Sequence, residues 1–360
     1  MLEKLLDRFR EKGPSRPRSK TETEKSRRLV IVLLIVVAVV ASVSVVGYGY
    51  YDTNIRPWNQ RIVKVNGTVI EMRAFVDTMR TWMLLYQMYG SSISPSSELA
   101  QYVASSMEKN ELMRQGLEGE FGIDVGSVTT DSAVEARIRS MLVSENATDE
   151  EFDKEYDSFK TILKKSYGLS ARDFKKLYIE PSLVSEELQK QIGIRDYPST
   201  DNLEHAQVQA LLVTGADAAT VLRARWEAGE DFDTLADEDS VSESLGHITA
   251  DNTTIEWVAK GIRSEAFDNY TFTEVWSPVV ISDPIQDSDS TGSYWLIRVV
   301  ARESRPLSDG DRETLIGEAY SKWLEEVSDP ENNDIVNYLG EEGGTAKLNW
   351  ALDHVAVSPS

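Results

Sequence analysis

Three histidines, no cysteine and one acidic loop are the short inventory of groups in this 360-residue chain that could do acid–base, nucleophilic or metal chemistry. Without cysteine, disulfides, thiolate nucleophiles and Cys-ligated zinc are excluded. His205 opens the alternating run "HAQVQALLV", His247 stands alone in the polar "SESLGHITADN", and His354 lies near the C-terminus. No zinc spacing, Walker loop or Ser-His-Asp arrangement accompanies them. The loop "DSDSTG", Asp287 to Gly292, matches the first half of a calcium loop, but its twelfth position is Arg298, where a bidentate Glu is required. It reads as a hairpin loop. Neither a metal nor a cofactor is expected.

Charge is divided unevenly along the chain. Residues 1–28 hold ten Lys/Arg against five Asp/Glu, and the rest hold 28 against 55, within a net charge of -22. Between the basic start and the acidic body lies "LVIVLLIVVAVVASVSVV", Leu29 to Val46, in which only Ser42 and Ser44 are polar. At 1.5 Å per residue these eighteen residues span about 27 Å, close to the hydrocarbon thickness of a bilayer. Arg27 and Arg28 precede the run, while Tyr48, Tyr50, Tyr51 and Trp58 follow it, a positive-inside flank and an aromatic interfacial belt. The expectation is a basic cytoplasmic tail (1–28), a single transmembrane helix (29–50) in the plasma membrane and an extracytoplasmic body. A cleaved signal peptide is the competing reading, and the long basic leader argues against it. Nucleic acid is excluded as a partner, because an acidic body has no Lys/Arg stripe to replace phosphate counterions.

Beyond the membrane run, Asn66-Gly67 sits between two short alternating stretches and predicts a hairpin. A helix is expected from Met72, with Phe75, Met79, Trp82, Met83, Tyr86 and Met88 mostly three and four residues apart on one buried face. Further helical text fills 97–118, 131–143, 149–165 and 171–193. Ser170 with Asp173 has the spacing of a helix start. The polar, proline-containing "RDYPSTDN" (195–202) reads as a linker. After it come a strand in "HAQVQALLV", two helices in "DAATVLRARWEAGEDFDTLADE", and short strands in "TIEWVAKG", "VWSPVVIS" and "SYWLIRVVARE". The fold class is α+β: a mostly helical unit over 61–195, an α+β unit over 203–303, a helix over 308–328 needing a partner surface, and a tail over 329–360.

The stretch "HAQVQALLVTGADAATVLRARWEAGEDFDTLADEDS" resembles the opening of a parvulin-type peptidyl-prolyl isomerase domain, with Ala218, Leu222, Gly229, Asp231, Phe232, Leu235 and Ala236 at the pattern's positions. "IEWVAKG" (Trp257, Gly261), "EVWSPVV" and "SYWLIRVVARE" resemble the later motifs of that domain. "VKVNGTVIEMRAFVDTMR", "FGIDVGSVTTDSAVEARI" and "SYGLSARDFKKLYIEPSLVSEELQKQI" are similar to the helical chaperone region of the SurA, PrsA and PpiD-like foldases. This resemblance implies cofactor-free cis/trans isomerisation of X-Pro bonds, unfolded or newly exported polypeptides as partners, and a helix at 308–328 that packs back on the helical unit.

The positions that carry the two parvulin histidines are Ala210 and Trp295 here, and "NTTIE" (Asn252 to Glu256) replaces the family's Gly-Gly-Asp. His205 cannot substitute for the first histidine: five residues from Ala210, it lies about 16 Å away and on the opposite strand face. Trp257, Ile262, Phe267 and Trp295 are expected to line the apolar wall of any cleft. Two readings follow. An apolar pocket that desolvates the amide could lower the barrier of about 18–20 kcal/mol without acid–base groups; alternatively, the domain is a non-catalytic chaperone or interaction module. The large indole of Trp295 could fill that pocket and abolish activity, or offer a stacking surface to a proline or aromatic residue, and its ordinary reading is core packing on a buried strand face.

Overall fold

The computed structural model describes residue 40, residue 44, 47–246, 257–273 and 277–356. Most of the apolar run Leu29–Val46 lies outside the described residues, as do His247 and "NTTIE". Among the described residues, no helix is long and apolar enough to cross a membrane.

Two strands open the folded body, β1 (Arg61–Val65) and β2 (Thr68–Glu71), paired with Val65 opposite Thr68 and Val63 opposite Ile70. Asn66 holds φ at +52°, a value that Asn tolerates better than most residues, and this closes the turn. Helix α1 (Met72–Met88) follows without a break, then α2 (Ser97–Gly119), α3 (Asp131–Leu142), α4 (Asp149–Tyr167) and α5 (Glu180–Asp196). Their starts are encoded locally. Ser96 and Thr130 accept bonds from backbone N–H groups three residues on, Thr148 and Glu151 form a reciprocal capping box, and Ser170 and Asp173 form another before a π turn at Lys175–Ile179.

The buried face of α1 differs from the one its spacing predicts. Phe75 and Met79 are buried, Trp82 and Met83 are half-buried, and Tyr86 and Met88 are exposed, while Leu84 and Leu85 take their place inside. The cause is a change of partner along the helix. Its first half packs with the sheet and α2, and its second half packs with α3 and α4, so the contact stripe rotates around the axis.

The α+β unit begins with β3 (Asn202–Thr214), then α6 (Ala216–Glu227), α7 (Phe232–Ala236), β4 (Val241–Leu245), β5 (Trp257–Ala259), α8 (Glu265–Thr271), β6 (Ile285–Gln286) and β7 (Ser293–Pro306). The sheet order is β4-β3-β7-β6, with β5 also on β3. β3 and β7 run antiparallel along their whole length, with one irregularity where Val300 has no opposite residue. The helices α6 and α7 cover one face through Leu222, Trp226, Phe232 and Leu235, and α8 covers the other through Phe267. The expected strand in "VWSPVVIS" is absent from its described part, 277–282. Pro278 has no N–H to give a ladder, and the segment instead makes single bonds, with Ser282 N–H donating to the Ile297 carbonyl. The unforeseen β4 takes up the free edge of β3.

Helix α9 (Asp309–Ser328) leaves the sheet and packs on α5 and α2, where Trp323 joins Leu117, Leu188 and Ile192 and donates its indole N–H to Glu120 at 2.8 Å. Gly116 makes room for this ring: a Cβ there would lie 2.4 Å from Trp323 Cζ2. The described part of the segment read as a tail, 329–356, is instead structural. Strand β8 (Ile335–Asn337) pairs with β1, and α10 (Gly344–Val355) buries Ala351 and Val355 in the core that contains Phe75 and Met79. A three-residue strand is too short to register as periodicity, and its partner lies some 270 residues away in the chain.

Candidate functional site

Alternation along β3 and β7 decides which residues share a face. Ala206, Val208 and Ala210 of β3 meet Trp295, Ile297 and Val299 of β7, beneath α8. Ala210 pairs directly with Ile297 and Trp295 with Leu212, so Ala210 and Trp295 are diagonal neighbours on one face. Both are buried, at 0% and 3% exposure.

The indole of Trp295 has no free polar group. Its N–H donates to Asp287 Oδ1 at 2.9 Å, inside the protein, and its ring meets Phe267 edge-on with centroids 5.0 Å apart. This T-shaped contact suits the ring quadrupoles. Asp287 stands just after β6, so the β6–β7 hairpin returns Trp295 to it. The carboxylate that opened the calcium-like "DSDSTG" is therefore spent on an indole, and among the described residues no group of three or more His, Cys, Asp or Glu could hold a metal.

Three of the four wall residues come together: Ile262, Phe267 and Trp295. Trp257 does not join them. It pairs with Gln207 while its neighbour Val258 faces the core, so the pleat turns Trp257 to the other side, where its ring lies 4.5 Å from the Arg305 guanidinium. His205 is buried on the face opposite Ala210, with Nδ1 2.8 Å from the Leu203 carbonyl. His354 stacks on Trp350 at 3.8 Å in α10, within the helical unit. Neither described histidine reaches Ala210 or Trp295.

Asp268 of α8 carries no motif and was not singled out in the sequence. Its Oδ2 accepts the Gly261 N–H at 2.7 Å, while Oδ1 is buried without a partner. Burial raises this carboxyl to about 6, assisted by the charges of Glu318 and Glu204 and opposed by the Gly261 bond and Lys260. Gly261 has φ +92°, and a Cβ there would lie 2.8 Å from Leu315 of α9, so this turn sits tightly against the closing helix.

An open space of a different kind lies in the helical unit. A cleft of about 650 Å³ runs between β2, α1, α2 and α5, with Val69, Ile70, Met107, Val125, Leu177 and Val184 on its walls.

These elements define a two-part protein: a helical unit that the chain enters twice, from 61 and again from 309, interrupted by an α+β unit whose inner sheet face is apolar and filled. Residues 21–188 match the family model of the SurA-like N-terminal domain. The chain is 27% identical over 274 residues to the foldase protein PrsA of Halalkalibacterium halodurans, an alignment covering 74% of this chain and 73% of the relative. Among solved structures, it is similar to the peptidylprolyl isomerase PrsA of Bacillus anthracis (16% identity, TM-score 0.35, covering 70% of this chain and 99% of that one). It is also similar to the foldase protein PrsA of Streptococcus pneumoniae (14% identity, TM-score 0.30, covering 83% and 94%). The match to the SurA-like N-terminal domain and the alignment with a PrsA foldase bear out the resemblance to SurA- and PrsA-like foldases that the sequence carries.

Proposed function

We propose that this chain is an extracytoplasmic foldase, held at the plasma membrane by the apolar run Leu29–Val46, that receives newly exported polypeptides. The foldase PrsA relative, aligned over most of both chains, supports the chaperone part of this reading. The anchor rests on the sequence: a basic flank, an apolar run of bilayer length and an aromatic flank. Full-length protein in detergent should suppress aggregation of a chemically unfolded client at near-stoichiometric ratios. No suppression would remove the foldase reading.

A second reading concerns the α+β unit alone. Prolyl isomerisation requires a site that favours the twisted amide, and the face where the family's histidines would stand holds Ala210 and a buried, hydrogen-bonded Trp295. That single observation favours a unit that binds or braces instead of catalysing. In a protease-coupled assay with a proline peptide, the wild-type chain should be silent, beside an Ala210→His, Trp295→His double variant. Clear wild-type turnover would restore isomerisation through shape and desolvation.

A further inference from the structure

Among the described residues, strand β2 is an edge of its sheet, with β1 as its strand neighbour. The bonding directions along β1 can be read from its far side. Asn66 N–H donates to the Asp334 carbonyl and Tyr338 N–H donates to the Ile62 carbonyl, so residues 62, 64 and 66 direct their backbone groups toward β8. Val63 and Val65 therefore bond to Ile70 and Thr68 of β2. Val69, opposite Lys64, is left with both its N–H and its C=O aimed outward, away from the sheet.

All four β2 residues line the cleft in the helical unit. Side chains alternate between faces, so one face could present only every second residue; contact with all four means that the cleft opens along the strand's edge. Across it stand Met107, Val125, Leu177 and Val184. The charged side chains around it balance, with three acidic (Glu71, Glu111, Glu180) and three basic (Arg73, Arg114, Lys176). Arg114 is committed to Glu111 and Glu118. Such a rim selects neither a basic nor an acidic ligand.

We propose that β2 receives a client by strand addition: an extended, uncharged polypeptide segment with aliphatic residues at alternate positions pairs with Val69 and sets those residues against the α2 and α5 walls. Main-chain bonds supply affinity independent of sequence, and the apolar walls select alternation. This rests on the foldase reading above and specifies how that activity holds a chain.

The test uses the full-length protein in detergent and a fluorescent, end-blocked octapeptide of alternating Thr and Val. Val69→Pro deletes the outward N–H without touching the β1–β2 bonds, and should weaken peptide binding about tenfold, the effect of losing one buried hydrogen bond. Val69→Thr should bind as the wild type does. The same peptide N-methylated throughout keeps its side chains, has no backbone N–H donors, and should not bind. Undiminished binding by Val69→Pro, or of the N-methylated peptide, overturns strand addition; if Val69→Pro does not fold, the N-methylated peptide on wild-type protein decides alone. A change of oligomeric state in Val69→Pro with unchanged peptide affinity also overturns the proposal, assigning the edge to a second copy of the chain. Client aggregation is measured in parallel. If suppression persists while Val69→Pro binds normally, only strand addition falls; if the wild type suppresses nothing, the foldase reading falls.

Discussion

The inner sheet face of the α+β unit and the cleft of the helical unit are opposites. Sequence motifs point to the first as a site, yet it is closed: Phe267, Trp295 and Ala210 pack against one another, and the buried polar pair, the Trp295 indole and Asp287, satisfies itself. The second carries no catalytic motif, yet it is open, apolar on its walls and bordered by an unfinished strand. Apolar area gains nothing more once it is packed, whereas the exposed Val69, the half-buried Ile70, Val125 and Leu177 and an unpaired edge still have burial and hydrogen bonds to gain from a partner. On the foldase reading proposed above, the surface suited to a polypeptide therefore lies in the helical unit more than in the unit that resembles an enzyme.

The sharpest way to break this comparison is Trp295→Ala. If the indole is what closes the sheet face, truncation should cost about 3–5 kcal/mol in urea unfolding, as for other buried aromatics, and leaves Asp287 without its donor. A loss below about 1 kcal/mol would mean that the face was never firmly closed.

Gly116→Ala tests the other side. The new methyl would overlap the Trp323 ring that docks α9 on α2 and α5, and overpacking of this kind costs about 1–3 kcal/mol. Because α9 braces helices that border the cleft, suppression of client aggregation should fall with the melting temperature. If stability falls and suppression does not, the cleft is independent of α9.

The smallest effect is expected at Asp268. Its carboxyl is raised in the folded state to about 6, so the native protein binds that proton more tightly than the unfolded chain. Its contribution is complete below the unfolded pKa near 4 and is lost as pH rises through about 6. Asp268→Asn should therefore stabilise the protein at pH 7.5 by about 1 kcal/mol, after allowance for solvent screening of a half-buried group, and the gain should vanish by pH 4. Thermal melts of both proteins across that range read the difference. A gain that does not depend on pH would remove the titration of Asp268 from the account.

Much of the architecture was legible in the chain because its signals are local. Asn66-Gly67 closes a hairpin, Ser170 and Asp173 cap a helix, and the strand of "SYWLIRVVARE" is β7. The rotation of the buried stripe on α1 was not legible, because the stripe follows whichever partner lies alongside and that partner changes midway. The candidate wall was legible in part. Phe267, Ile262 and Trp295 converge, whereas Trp257 is turned away by a pleat whose phase depends on pairing with Gln207.

By itself, the sequence determined that no cysteine chemistry is available, that Ala210 and Trp295 stand where the resembling domains carry histidines, and that a run of bilayer length precedes an acidic body. Only the tertiary structure decided that Asp287 binds the Trp295 indole, that β8 and α10 close the first core, and that β2 keeps a free edge on an open cleft. The reason is range. Composition and spacing report what a residue can do over a few positions, whereas strand neighbours and packing partners come from contacts made across hundreds of residues, and those contacts settle which groups are satisfied and which still need a partner.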